Sequence, residues 1–204
     1  MLKLEFTDLV EKFTDDQPII KLLWVEIEKQ YSGSKRFYHN LSHLENLLKQ
    51  LTEVKDQVAD WDTTLFSLFY HDIIYKASRN DNEEKSAEFV SKRLRMIACP
   101  EGKIELCISQ ILATKVHSVS GDNDTNLFTD ADLSILGQDW PVYSQYFKQV
   151  RKEYSIYPDV LYKPERKKVL NHFLGMSRIF KTDWFCNKYE ERARLNLKQE
   201  LKEL

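Results

Sequence analysis

The sequence predicts an all-α protein, a compact multi-helix bundle, on three observations. Only 5 Gly and 5 Pro occur in 204 residues, too few breakers for a turn-rich β-sandwich. The apolar residues recur at spacings of three and four rather than in alternation. The chain is 42% hydrophobic and 12% aromatic yet 30% charged, enough to close one substantial core while leaving solvated helix faces.

Taken in order, Met1 to Asp8 has no extended apolar run, so no signal peptide is expected. A first helix follows Asp15-Asp16-Gln17-Pro18, a start signal, and carries Ile19, Leu22, Leu23, Ile27 and Tyr31 on one face until Gly33. A second begins near Asn40, with a stripe of Leu44, Leu47, Leu48, Leu51, Val54 and Val58. The third, Trp61 to Tyr75, is apolar on several sides through Leu65, Phe66, Leu68, Phe69, Ile73 and Ile74, as a central helix should be. After a loop at 76–80, Asp81 caps a fourth helix carrying Ala87, Val90, Leu94 and Ile97 up to Cys99-Pro100.

A fifth helix runs from Gly102 towards His117. The turn-rich stretch 118–124 reads as an irregular, mobile rim. Helix signals resume from Asp130 to Leu136, with Gly137 as a C′ glycine, then from Pro141 to Tyr154, Pro164 to Met176, and Cys186 to the end. The last helix has a stripe of Leu197, Leu201 and Leu204 that packs on its own bundle, with a dimer contact as the alternative. No repeat, linker or compositional shift divides the chain, so a single domain over 1–204 is expected.

Several function classes drop out. With 30 Lys and Arg against 32 Asp and Glu, the formal net charge is −2, so no electrostatic footprint for nucleic acid is present. Cys99, Cys107 and Cys186 form no C-x-x-C pair, which argues against a disulfide framework or a cysteine zinc site. No membrane span is expected, and the cytoplasm is the expected location. P-loop, G-x-G-x-x-G, G-x-S-x-G and H-E-x-x-H motifs are absent. Oligomer formation is open.

The chemistry-bearing residues lie in three places. His39 and His43 are four apart, a spacing that presents two imidazoles to one ion or phosphate, although such pairs also arise as caps or exposed accidents. In Tyr70-His71-Asp72-Ile73 an imidazole and a carboxylate interrupt an apolar helix. An unpartnered buried carboxylate costs several kcal/mol, so Asp72 must be exposed, ion-paired, hydrogen-bonded or bound to a metal. Neighbours on a helix point about 100° apart, so the two converge only on an ion over the groove between them. The alternative is a histidine bonded to backbone beside an ion-paired Asp72. Asp130 and Asp132 lie roughly 200° apart on a helix, so if Asp130 is an N-cap, Asp132 is free to turn inwards; capping is the alternative for either. Neutral imidazole from His39 and His71 with carboxylate from Asp72 and Asp132 makes a mixed N/O site suited to Mn, Fe, Co, Ni or Zn, or to Mg where water dominates.

The order His, His-Asp, Asp resembles the HD-domain superfamily of metal-dependent phosphohydrolases, which has an all-helical fold. The segments that carry the likeness are Arg36-Phe37-Tyr38-His39-Asn40, Phe69 to Tyr75, Asp81 to Ala87, and Phe128 to Gly137, and it extends from about residue 19 to 180. It implies His39 as the first metal ligand, His71 and Asp72 as the central pair, and Asp132 as the last. It also places Asp81-Asn82-Glu83-Glu84 in the active-site wall, with Glu83 as a catalytic candidate, against the alternative that these acids merely start a helix. Thr114-Lys115-Val116-His117 is similar too. Binuclear members hold a second ion through extra histidines, for which His43 and His117 are candidates, but closely paired later histidines are missing and one metal is expected.

The activity implied is hydrolysis of a phosphoester, a nucleotide or other small phosphorylated metabolite, by a metal-activated water. Asp72 or Asp132 would orient that water and His43 or His117 would protonate the leaving oxygen. Arg36, Lys85, Lys115 and Arg151 are candidate cations for the phosphate oxygens, with Arg36, His43 and Lys115 singled out for substrate binding. The competing readings are a non-catalytic module that senses a nucleotide or a metal, and a two-iron oxygenase of the same fold.

Overall fold

In the computed structural model, which describes all residues Met1–Leu204, the chain is all-helical, as expected, with ten α-helices and no strand. It divides into two compact units, 1–129 and 130–204. No helix is long and apolar enough to cross a membrane.

The first unit contains α1 (Leu2–Glu11), α2 (Gln17–Tyr31), α3 (Leu41–Thr52), α4 (Trp61–Tyr70), α5 (Asn82–Met96), α6 (Glu101–Ala113) and most of α7 (Asn123–Leu133). The sequence reading placed no helix over α1, which buries Leu2, Phe6, Leu9 and Val10. The start signals of α2 and α3 act as read: the Asp16 carboxylate accepts from the Ile19 amide, and the Asn40 side chain accepts from Ser42 and His43. The α4 helix is buried along its length and packs against α1, α3, α5 and α6, so the central position predicted for it is correct. Its N-terminus is fixed twice. Asp60 accepts from Thr63 and pairs with Lys103, while buried Asp124 accepts from the Ala59 and Asp60 amides at 2.9 and 2.7 Å.

Three expectations need correction. The central helix ends at Tyr70, not Tyr75, because the backbone beyond it bonds to side chains from elsewhere. Asp124, expected in a loop, is buried near the start of α7. Asp130 caps no helix of its own but is buried inside α7.

The second unit holds the end of α7, a 3-10 turn at Ser134–Gly137, α8 (Trp140–Glu153), α9 (Asp159–Gly175) and α10 (Asp183–Glu203). Asp130 accepts from the Lys181 and Thr182 amides at 2.9 and 2.7 Å and from the Thr182 hydroxyl at 2.8 Å. Thr182 is the N-cap of α10, so the carboxylate closes the start of that helix. Gly137 has no positive φ and is no left-handed cap. A Cβ there would fall 2.5 Å from the Tyr189 Cβ, so glycine serves close helix contact. As expected, α10 packs within its own bundle, against α8, α9 and the 3-10 turn. Its buried Glu200 receives the Arg166 guanidinium through two bonds of 2.7 and 2.9 Å, and the Tyr143 hydroxyl donates to the same carboxylate.

Candidate metal centre

The cluster is built where α4 stops. His71 is the C-cap of α4; beyond it only the Ile73 amide bonds back to the helix, at the Tyr70 carbonyl, so the other polar backbone groups need partners elsewhere. The Asp72 amide donates to the Tyr31 hydroxyl at 3.2 Å. The Arg36 guanidinium donates to the carbonyls of Asp72 (2.7 Å), Ile73 (2.9 Å) and His39 (3.0 Å). Ser86 bonds both the amide and carbonyl of Ile74, and Asn82 does the same for Lys76. Segment 72–76 is thus held by side chains from α2, α5 and the stretch before α3.

Arg36, expected as a substrate cation, is engaged with backbone carbonyls. Its donors brace the two ligand-bearing segments, and its guanidinium lies over the rings of Tyr31 and Tyr75. These bonds tie the His39 and Asp72 segments together.

Asp72 Oδ2 faces three imidazole Nε2 atoms: His71 at 3.1 Å, His43 at 3.8 Å and His39 at 3.9 Å. The His43 and His71 Nε2 atoms are 3.1 Å apart. Their side chains are 4% and 1% exposed, whereas His39 and Asp72 are 19% and 17% exposed, so the cluster has a buried floor and an open side. One ligand atom from each of His43, His71 and Asp132 lies within 4.8 Å of the others, a group that can hold a metal ion. Asp132 reaches it from the last turn of α7, the helix that carries Asp124 near its start. The 200° separation expected from the sequence is realised: Asp130 turns to Thr182 and Asp132 to the histidines.

The donor set fits a cation. His71 Nδ1 lies 3.0 Å from the Leu68 carbonyl, which can only accept, so Nδ1 carries a proton and Nε2 is left as the ligand atom. That nitrogen then faces a carboxylate and another imidazole with one proton, at most, to share among them. Burial holds the His43 pKa well below its ordinary value, with His71 adding to the depression and Asp72 opposing it. Burial pushes Asp72 up, but the neighbouring imidazoles, His71 foremost, outweigh it and hold the carboxyl well below the usual carboxylate range. The result is an excess of lone pairs around one point, which a divalent ion satisfies.

His43, read as a second-ion or substrate residue, thus joins the ligand group directly. Glu83, on the first turn of α5, is half-buried; burial raises its pKa, and the Asp72 charge adds to the rise. Lys115 donates to the Asn80 carbonyl at 2.7 Å and pairs with Glu84. Arg151, in the second unit, is bonded to Asp159 and to the carbonyls of Tyr154 and Tyr157. His117 follows α6 with a positive φ of 51° and is not in the ligand group. Asp81 directs its carboxylate to Arg79 at 2.6 and 2.7 Å rather than to the α5 amides.

Some side chains around the cluster stood in segments singled out in the sequence but were given no role there. Tyr75 stacks on His39 with centroids 4.1 Å apart, and the Tyr38 ring lies 5.0 Å from both His39 and His43. Asn82 and Ser86 stood within a segment already singled out, but their bonds to the ligand segment depend on the chain's path. No family model matches the chain, and no curated protein matches it.

Proposed function

We propose that His43, His71 and Asp132, with His39 and Asp72 beside them, hold one divalent first-row metal ion, and that the protein is a metal-dependent phosphohydrolase of HD-domain type acting on a small phosphoester. The observation that carries this reading is the convergence of three Nε2 atoms on Asp72 Oδ2, with the opposite nitrogen of His71 committed to a backbone carbonyl. Mn, Fe, Co, Ni and Zn suit the mixed imidazole and carboxylate set, and Mg suits it where water completes the shell.

A bound ion of this kind lowers the pKa of its water and polarises a phosphoryl oxygen. The chain's own residues do the rest. Asp72, ionised at neutral pH and on the open side, accepts a hydrogen bond from the attacking water and aims it. Glu83, whose carboxyl is raised by burial and by Asp72, holds a proton more readily than a solvated glutamate and delivers it to the leaving oxygen. Arg36 keeps the His39 and Asp72 segments in register.

The test is metal analysis of protein purified without chelator, beside Asp72→Ala. About one ion per chain is expected in the wild type, with loss in the variant and unchanged helical circular dichroism. A wild-type chain that takes up none of Mn, Fe, Co, Ni or Zn after incubation overturns the reading, as does a variant that retains the ion.

A further inference from the structure

We propose that a cationic groove beside the cluster binds ligands carrying two or more linked phosphates, so that the substrate is an oligophosphate rather than a simple monoester. This rests on the proposed phosphoester chemistry only for the end of the ligand that reacts.

The groove is an open cavity of about 560 Å³ whose wall includes Ile74, Tyr75 and Lys76, the direct continuation of the His71-Asp72 segment. The Tyr75 ring that lines it is stacked on His39, so one aromatic ring separates the groove from the cluster. Five cations line it, Lys76, Arg79, Lys85, Lys92 and Arg93, against one carboxylate, Glu88. Asp81 on Arg79 and Glu26 on Arg93 bring two further carboxylates to these cations, so the local excess is two positive charges.

The excess follows from helix geometry. Lys85, Glu88 and Lys92 recur at spacings of three and four on α5, which keeps them on one face, and Arg93 flanks that face. Glu88 is shared by Lys85 at 3.0 Å and Lys92 at 2.8 Å. Arg93 is bonded to Glu26 and lies over Phe89. The backbone of Lys76 is fixed by Asn82 at 3.0 and 3.1 Å, so its exposed side chain starts from a set position at the end nearer Tyr75. The carboxylates Glu88, Glu26 and Asp81 neutralise part of this row, and a further anion lying along it relieves the repulsion that is left. A single phosphate meets one or two cations, whereas a row of linked phosphates meets them in sequence, with charge-assisted bonds to Arg and Lys.

The probe is inorganic tripolyphosphate, titrated calorimetrically into the full chain with chelator present, beside orthophosphate and beside Lys76→Ala/Lys92→Ala. With the chelator, the result does not depend on whether the cluster holds a metal. One tripolyphosphate per chain is expected, bound at least about tenfold more tightly than orthophosphate and weakened about tenfold or more in the double variant. Added salt should weaken it further. Both lysines are exposed, and Arg79→Ala serves as an independent variant should the double one misfold. Equal affinity for the two anions, or affinity unchanged in the variants, overturns the proposal. So does a single-stranded oligonucleotide that binds where tripolyphosphate does not.

Discussion

Two carboxylates, one in each unit, show different solutions to the same electrostatic problem. Glu200 is 1% exposed and is closed by donors that are always present: both nitrogens of the Arg166 fork and the Tyr143 hydroxyl. Asp72 faces three imidazole nitrogens instead, and imidazole supplies a proton only when it is charged or in the right tautomer. Charge and donors balance in the first case without help. In the second the balance depends on the protonation of the imidazoles, and a cation could also supply it. The difference separates a structural ion pair from a group that could hold a metal ion, although both are acids in a helical sequence.

The largest expected effect tests that contrast directly. Glu200→Gln leaves the Arg166 guanidinium buried without its counter-charge and should cost about 3–5 kcal/mol of stability. Asp72→Asn, measured in chelator, should cost less than about 1 kcal/mol, because the amide keeps the shape and can donate to a neighbouring imidazole nitrogen where the carboxylate could only accept. Urea denaturation of both variants against the wild type measures the two costs. An Asp72→Asn loss as large as that of Glu200→Gln would break the comparison and make Asp72 a structural residue.

How far the sequence exposes these features depends on how local their causes are. The helix stripes, the caps at Asp16 and Asn40 and the turning inward of Asp132 were legible because each is decided within one or two turns. The short α1 has the spacing of Leu2, Phe6, Leu9 and Val10 but makes no side-chain cap bond, so its signal was weak. The end of α4 was not legible. Ile73 and Ile74 continue an apolar run, and only the chain's path shows that Tyr31, Arg36, Asn82 and Ser86 take over the backbone bonds. The role of Arg36 was hidden for a related reason: a guanidinium suits a phosphate and a set of carbonyls equally well. Asp130 was expected to cap its own helix, whereas it accepts from the backbone just before α10, from partners 51 and 52 residues away.

A smaller effect sharpens the comparison at Arg36. Its three carbonyl acceptors lie on both ligand-bearing segments, so Arg36→Ala should cost about 1–3 kcal/mol through unsatisfied backbone groups. Metal affinity should fall about 10- to 100-fold, the usual consequence of loosening an outer support. Arg36→Lys should restore little of either, since an ammonium lacks the planar fork. Denaturation and competitive metal titration of the two variants give the values. Restoration of metal affinity by lysine would reduce Arg36 to a local positive charge.

The smallest effect is a pH dependence of the metal-free protein. Burial, followed by the charge of His71, holds the His43 pKa well below its ordinary value. In the unfolded chain His43 gains its proton near pH 6.5; in the folded chain it gains it only at lower pH. Between those two values the unfolded state binds more protons, so the His43 contribution is fully present above pH 6.5 and is lost as pH falls towards the folded value. In chelator, the wild-type urea midpoint should therefore decline between pH 7.5 and 5.5, and His43→Gln should decline less over the same interval. Glu200→Gln should leave the His43 part of the pH dependence in place, because its damage is a lost ion pair rather than an imidazole titration. An equal decline in wild type and His43→Gln would show that His43 gains its proton as readily folded as unfolded, and the buried floor of the cluster would then be no drier than an ordinary surface.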